Sequence, residues 1–124
     1  MIVTVIDSVR NSHYLKRTSG FIEEYSQIIG SDYLTMDPVS ISGNEYVITH
    51  AVGPFERSAV SVIDSSGNGL ISGNVIISGY DPDIRQETGI GLDDVIAIGG
   101  RLAYIYDDDF EDPRSVIVVD GSNE

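Results

Sequence analysis

Short runs of aliphatic and β-branched residues, separated by clusters of Gly, Asn, Ser and Asp, make up most of the chain. Runs of this kind, bounded by turn residues, are typical of β-strands. The opening run Ile-Val-Thr-Val-Ile is the clearest case, and it stops at Asp7-Ser8, which predicts a buried strand. On the same pattern we expect strands at residues 2–6, 13–16, 39–41, 46–49, 70–71, 75–77 and 115–119.

Turn signals subdivide the segment that starts at residue 33. Pro38 lacks a backbone N–H, so we expect it to break the extended run that begins at Tyr33. Gly43-Asn44 then separates two alternating runs and predicts a hairpin turn. Residues 55–63 begin with a stretch that fits either a short helix or a strand, and the Ser/Gly/Asn cluster after it fits a loop.

One amphipathic helix is predicted at about residues 19–30. Ser19 can cap its amino end, and two glutamates follow in the first turn. Gly30 can end the helix in the left-handed conformation. The apolar residues recur with helical spacing and predict one packed face, formed by Phe21, Ile22, Tyr25, Ile28 and Ile29.

Residues 92–106 fit two structures. As a hairpin, they would use Gly99-Gly100 as a two-residue turn. As a helix, they would be capped by Asp93, with inward-facing residues Leu92, Val95, Ile96 and Leu102. Two glycines inside a helix cost about 1 kcal/mol each relative to alanine, so we favour the hairpin.

These elements together predict an α+β fold, a mostly antiparallel β-sheet with one helix. A chain of 124 residues is long enough for one hydrophobic core and too short for two. We therefore expect a single compact domain at residues 1–120 and a frayed tail at residues 121–124.

The charge balance is strongly acidic, with 20 Asp and Glu against 7 Lys and Arg and a net charge of -13. This charge disfavours direct binding to nucleic acid or to an anionic membrane. Lys16 is the single lysine, and Asp outnumbers Glu. Short hydrated carboxylates in place of lysine suit molar salt, which suggests halophilic adaptation; the rival explanation is an ordinary acidic phage protein.

The absence of cysteine from the sequence excludes disulfides, thiolate metal sites and cysteine nucleophiles. The amino-terminal sequence lacks the basic region and long apolar run of a signal peptide, and no apolar run approaches the length of a membrane span. We expect a protein in the cytoplasm of the host cell, or packaged in a virion.

The acidic stretch Tyr-Asp-Asp-Asp-Phe-Glu-Asp-Pro at residues 106–113 is the first candidate site. Carboxylates are the ligands that calcium and magnesium prefer, but consecutive acids without a glycine at the bend do not converge on one ion. We predict a hydrated loop and no metal or other cofactor. The weak metal candidates are Asp107, Asp108, Asp109, Glu111 and Asp112.

Other motifs resolve into ordinary structure. Residues 64–69 copy the first half of a calcium loop, but its twelfth position falls on Val75, so we predict a turn. His13 and His50 have no nucleophile motif beside them, and Gly-Ile-Gly-Leu lacks the third glycine of a dinucleotide site. We predict no catalytic residue and no enzyme. The predicted interaction residues are Tyr104, Tyr106 and Phe110, with the two tyrosines alternating on one strand.

Three segments carry a resemblance to a family. Met-Ile-Val-Thr-Val-Ile opens the chain, Glu-Tyr-Ser-Gln-Ile-Ile-Gly-Ser ends the helix, and Gly-Leu-Ile-Ser-Gly-Asn-Val-Ile-Ile-Ser-Gly-Tyr-Asp forms a late glycine-bounded run. Residues 1–83 thereby resemble a family of small phage- and plasmid-encoded proteins, a domain of unknown function of the three-eight-four-six type. The halophilic composition fits a haloarchaeal or haloarchaeal-virus version. The resemblance implies a viral or mobile-element setting and no catalytic residues.

From these observations we expect a non-enzymatic accessory protein of a virus or mobile element that binds another macromolecule in a high-salt host. The expected partner is a protein, either a viral structural protein or a host enzyme; a homo-oligomer stays open. The alternative is a virion component, namely a head-tail joining, tail or decoration protein. A second alternative is an acidic DNA mimic that inhibits a DNA-binding enzyme.

Overall fold

The computed structural model describes residues 1–108 and 110–120, and in these ranges the chain forms ten strands and two α-helices. The strands are β1 (Ile2–Asp7), β2 (Ser12–Arg17), β3 (Leu34–Ile41), β4 (Asn44–Ala51), β5 (Val60–Ile63), β6 (Gly69–Ser72), β7 (Val75–Asp81), β8 (Gln86–Thr88), β9 (Leu102–Ile105) and β10 (Arg114–Val118). The helices are α1 (Ile22–Ile29) and α2 (Leu92–Gly99), and one turn of 3-10 helix covers Arg57–Ala59. The predicted strands are therefore present, and the ambiguous segment at residues 55–63 contains both a short helix and a strand.

The strands form two sheets. The six-stranded sheet has the order β2-β1-β7-β4-β3, and β8 pairs with the second half of β7. The four-stranded sheet has the order β6-β5-β10-β9, with β5 and β10 parallel. Every other pairing is antiparallel in the described part of the chain. The predicted fold class, α+β with mostly antiparallel strands, is confirmed.

Packing places the two sheets face to face, with a helix on the far side of the larger one. The main core joins Ile6, Ile48 and Ile77 of the six-stranded sheet to Val62 and Ile117 of the four-stranded sheet. Alternation along the strands sends the neighbouring side chains to the opposite face, which we call the outer face of the six-stranded sheet. There α1 packs against β1 and β7 through a second core, formed by Val3, Val5, Tyr25, Ile29 and Ile76.

Helix α1 is shorter than predicted at its amino end. It begins after Phe21, whose exposed fraction is 69%, and Ile22 is also exposed. The prediction that these two residues belong to the packed face is therefore wrong. Ser19 does not cap the helix directly; instead, the Glu24 carboxylate accepts hydrogen bonds from the Ser19 N–H and from the Thr18 hydroxyl. These bonds, led by the one from Thr18, hold the pKa of Glu24 below its usual value. Gly30 has a φ of 86°, as predicted.

The hairpin predicted for residues 92–106 is wrong, because Leu92–Gly99 forms α2 and the following strand pairs with β10. The glycine penalty does not arise, since Gly99 is the last helical residue and Gly100 is the cap after it. Asp94, not Asp93, stabilises the amino end by accepting a hydrogen bond from the Gly91 N–H at 2.9 Å. Within the described ranges, neither helix is long and apolar enough to cross a membrane.

Two turn predictions are also wrong. Strand β3 runs straight through Pro38 because it is an edge strand, where one side of the backbone needs no hydrogen-bond donor. The hairpin turn between β3 and β4 is Ser42-Gly43, one residue earlier than predicted. Both residues have positive φ angles, 53° and 82°, which fit the tight turns preferred in two-residue hairpins.

Candidate functional site

The acidic stretch at residues 106–113 is a loop held against the outer side of the four-stranded sheet. Phe110 is only 6% exposed and packs with Val60, Ile63 and Val116. The guanidinium of Arg57 lies 5.7 Å from the centre of the Phe110 ring and donates a hydrogen bond to the Asp107 carboxylate. An aromatic residue and an arginine therefore anchor this loop.

The far end of the acidic loop is tied to the turn between β1 and β2. The Asn11 side chain donates to the Pro113 carbonyl at 2.5 Å and accepts from the Ser115 N–H at 2.7 Å. Asp108, Glu111 and Asp112 are exposed, and Asp109 lies outside the described residues. Among the residues that the structure describes, no three or more His, Asp or Glu side chains are grouped to hold a metal ion.

The three predicted interaction residues separate into two environments. Tyr104 on β9 and Tyr106 just beyond it are 66% and 65% exposed. The prediction that the two tyrosines share one strand is wrong, because β9 ends at Ile105. Phe110 belongs to the core under the acidic loop, so it contributes no surface next to them.

The half calcium loop at residues 64–69 is a turn organised by one carboxylate. Asp64 accepts hydrogen bonds from the N–H groups of Ser66 and Asn68, both at 2.9 Å, and from the Asn68 side chain. These bonds, led by the one from the Asn68 N–H, lower the pKa of Asp64. Gly67 supplies the positive φ angle of the turn. The carboxylate that would begin a calcium loop is thus occupied within the turn.

Neither histidine forms part of a catalytic triad in the described structure. His50 Nε2 lies 2.6 Å from Asp37 Oδ2, and its Nδ1 lies 3.1 Å from the Ala51 carbonyl oxygen. Both ring nitrogens therefore face oxygen atoms of Asp37 and Ala51, and neither faces a serine hydroxyl, as a triad histidine must. His13 Nδ1 lies 3.1 Å from the hydroxyl oxygen of Ser115. Ser115 is buried, and its backbone N–H donates a hydrogen bond to the Asn11 side chain.

The feature that sequence reasoning missed is a groove on the outer face of the six-stranded sheet. Helix α1 covers only part of this face, and beside it an open groove of about 300 Å³ remains. Val47 at its base is 7% exposed, whereas Met36 on the edge strand is 47% exposed. The groove is lined by Met36, Pro38, Val47, Tyr80, Arg85 and Glu87.

Glu87 is the most constrained polar group in the groove. Its Oε2 atom accepts a hydrogen bond from the Tyr25 hydroxyl at 3.0 Å and another from the Ser78 hydroxyl. Tyr25 and Ser78 are both fully buried. Burial, reinforced by the adjacent Glu87, raises the pKa of Tyr25 well above its usual value, so this hydroxyl stays protonated and continues to donate.

The groove combines an apolar base with charged groups at its side. Glu45 lies two residues before Val47 on β4, so its exposed side chain shares the outer face. Arg85 is the basic residue among those lining the groove, and it lies in the turn before β8 with a positive φ angle of 52°. An open apolar surface bordered by charges is typical of protein-binding sites.

Comparisons of the chain with protein-family models, with curated proteins and with solved structures find no match.

Proposed function

We propose that this chain is a non-enzymatic accessory protein of a virus or mobile element that binds another protein in a high-salt host. The observation that carries the proposal is the groove, because a buried valine and an exposed methionine lie on a sheet face that α1 leaves open. Apolar surface of this kind, bordered by polar and charged groups, is typical of sites that a protein partner covers. The viral setting rests on the family resemblance.

The edges of the sheets support an accessory protein over a virion component assembled by strand addition. Natural sheets protect their edges with proline, with basic residues, with bulges and with short strands. Edge strand β3 contains Pro38, and edge strand β2 carries Lys16 and Arg17. Strand β6 pairs irregularly with β5, and β9 has only four residues. Each of these edges is poorly suited to pairing with a neighbouring copy.

Affinity capture from infected or plasmid-bearing host cells at native salt tests this proposal. The wild-type protein is expected to retain one host protein, or one viral protein that is not part of the virion, and a Met36→Glu variant is expected to lose it. Leu15→Glu is the matched control, because Leu15 is exposed to a similar degree on the other edge strand of the same sheet. This control is expected to retain the partner.

Other capture results would contradict the proposal in different ways. Recovery of portal, capsid or tail proteins would make the chain a virion component. Equal recovery with Met36→Glu and wild type would place the binding surface outside the groove. A wild-type protein that retains nothing specific from the producing cells would argue against a protein-binding function.

Salt is expected to stabilise the folded state. At 0.1 M salt, charges interact over about 10 Å, whereas at 1 M this length falls to about 3 Å. With a net charge of -13, raising KCl over that range should therefore relieve self-repulsion and raise the thermal midpoint by roughly 5 °C or more. Circular dichroism melting curves measure this shift.

Exposed carboxylates provide the control for the salt effect. A variant carrying Asp93→Asn, Glu111→Gln and Asp112→Asn removes three exposed charges, so its midpoint should rise less with KCl. A variant with the same salt response as wild type would show that charge repulsion is not the cause. A wild-type midpoint that falls with KCl would contradict halophilic adaptation.

A further inference from the structure

This inference rests on the protein-binding function proposed above. The charges around the groove indicate which charge its partner carries. Glu87 lines the groove and Glu45 lies on the same face of the sheet, two residues before Val47, whereas the lining contains one basic residue, Arg85. The net charge of the whole chain is -13, so its long-range field also attracts cations. At low salt an acidic partner would meet repulsion both at long range and at the groove, whereas at molar salt only the charges at the groove would repel it.

Glu87 is positioned in advance for a cation. Its Oε2 atom is held by the hydroxyl groups of Tyr25 and Ser78, which fix the carboxylate without neutralising it. A fixed acceptor loses little conformational entropy when a donor binds it. Tyr80 stands across the β7–β8 pair from Glu87, so an arriving cation meets an aromatic ring beside the carboxylate.

We propose that the groove binds a protein segment in which an arginine or lysine adjoins an apolar side chain. The apolar side chain covers Val47 and Met36, and the cation lies between Glu87 and Glu45. Arginine suits the site better than lysine, because its planar group both donates to a carboxylate in a forked geometry and stacks on an aromatic ring. Arg85 opposes the cation and so limits the affinity.

An NMR titration with synthetic peptides tests this inference on the full chain. Three glycine-serine peptides serve as probes, and they differ only in a central Leu-Arg, Leu-Glu or Ser-Arg pair. The Leu-Arg peptide should shift the amide signals of Val47, Tyr80 and Glu87, with an affinity about tenfold above that of either other peptide at low salt. The advantage over Leu-Glu should narrow in molar KCl.

Charge-neutralising variants make the test specific. Glu45→Gln changes an exposed side chain and should weaken Leu-Arg binding about threefold, and Arg85→Gln should strengthen it by a similar factor. Glu87→Gln keeps an acceptor for Tyr25 and Ser78 and should weaken binding at least as much as Glu45→Gln. Glu111→Gln removes an equal charge at the acidic loop and should leave binding unchanged.

Three results would overturn the inference. The first is equal binding of the Leu-Arg and Leu-Glu peptides at low salt. The second is a set of shifts confined to residues outside the groove, and the third is no shift at millimolar peptide. If affinity capture still yields a partner that Met36→Glu loses, the proposed function survives and only the chemistry of the partner is wrong. If capture yields none, the proposed function itself fails.

Discussion

Replacing Ile77 with alanine is expected to lower the free energy of unfolding by about 3 kcal/mol. Ile77 is fully buried in β7, between Thr4 of β1 and Ile48 of β4, and it belongs to the core shared by the two sheets. Truncating a buried isoleucine removes apolar contacts and leaves a cavity, which typically costs about 2–5 kcal/mol. Strand β7 is central in its sheet, so the surrounding backbone has little freedom to close the cavity.

Urea unfolding followed by circular dichroism and by tyrosine fluorescence measures the effect of Ile77→Ala. Tyr25 lies on the outer side of the six-stranded sheet and Tyr46 on its inner side, so fluorescence reports on both cores. Both signals should shift together, because both cores include β7. Ile84→Ala is the control; Ile84 is exposed, so its change should stay within about 0.5 kcal/mol. Two separate transitions would contradict the prediction of a single domain.

The strands were predictable because their signal is local. Strands β1 and β7 are runs of valine and isoleucine, and each is bounded by turn residues. The prediction failed at Pro38 and at Gly99-Gly100 because those positions depend on tertiary context. Proline is tolerated in β3 only because that strand lies at an edge, and the two glycines cost α2 little only because they lie at its end.

Pairing between distant strands was beyond the sequence signal. The parallel contact between β5 and β10 joins Ile63 to Val118, and neither strand carries a mark that identifies its partner. For the same reason, the sequence did not show that the strands predicted at residues 70–71 and 75–77, which are consecutive along the chain, belong to different sheets. Hydrophobic alternation indicates which face of a strand is buried, but it does not indicate which other element packs against that face.

At the candidate site, too, one feature was predicted from the sequence and another was not. The acidic loop was correctly predicted to be a loop, because consecutive acids and Pro113 disfavour regular structure. The groove was missed because it exists only where α1 leaves the sheet face uncovered. The extent of that uncovered face depends on where α1 ends relative to the sheet. Met36 and Val47 resemble ordinary core residues in the sequence, and only the packing shows that α1 does not reach them.

Asp120 connects three parts of the chain near its described end. Its carboxylate accepts hydrogen bonds from the Ser40 hydroxyl at 2.7 Å and from the Gly43 N–H at 2.9 Å, and it lies 3.1 Å from an Arg101 nitrogen. The hydrogen bond from Ser40, followed by that from Gly43 and the charge of Arg101, lowers the pKa of Asp120. The β3–β4 turn is thereby fastened to the segments that follow α2 and β10.

Replacing Asp120 with alanine should therefore lower the free energy of unfolding by about 2 kcal/mol at neutral pH, because several bonds to one charged group are lost. Asp120→Asn should lower it by a smaller amount that depends on pH. Because folding lowers the pKa of this carboxyl, its stabilising effect is fully present above the unfolded value, near 4, and is lost as the pH falls through the lower folded value. The difference between wild type and Asp120→Asn should thus be largest at neutral pH and shrink as the pH falls below about 4. Urea unfolding at several pH values, with exposed Asp112→Asn as the control, measures this difference. A difference that stays constant across the whole range would show that the Asp120 charge does not hold the turn in place.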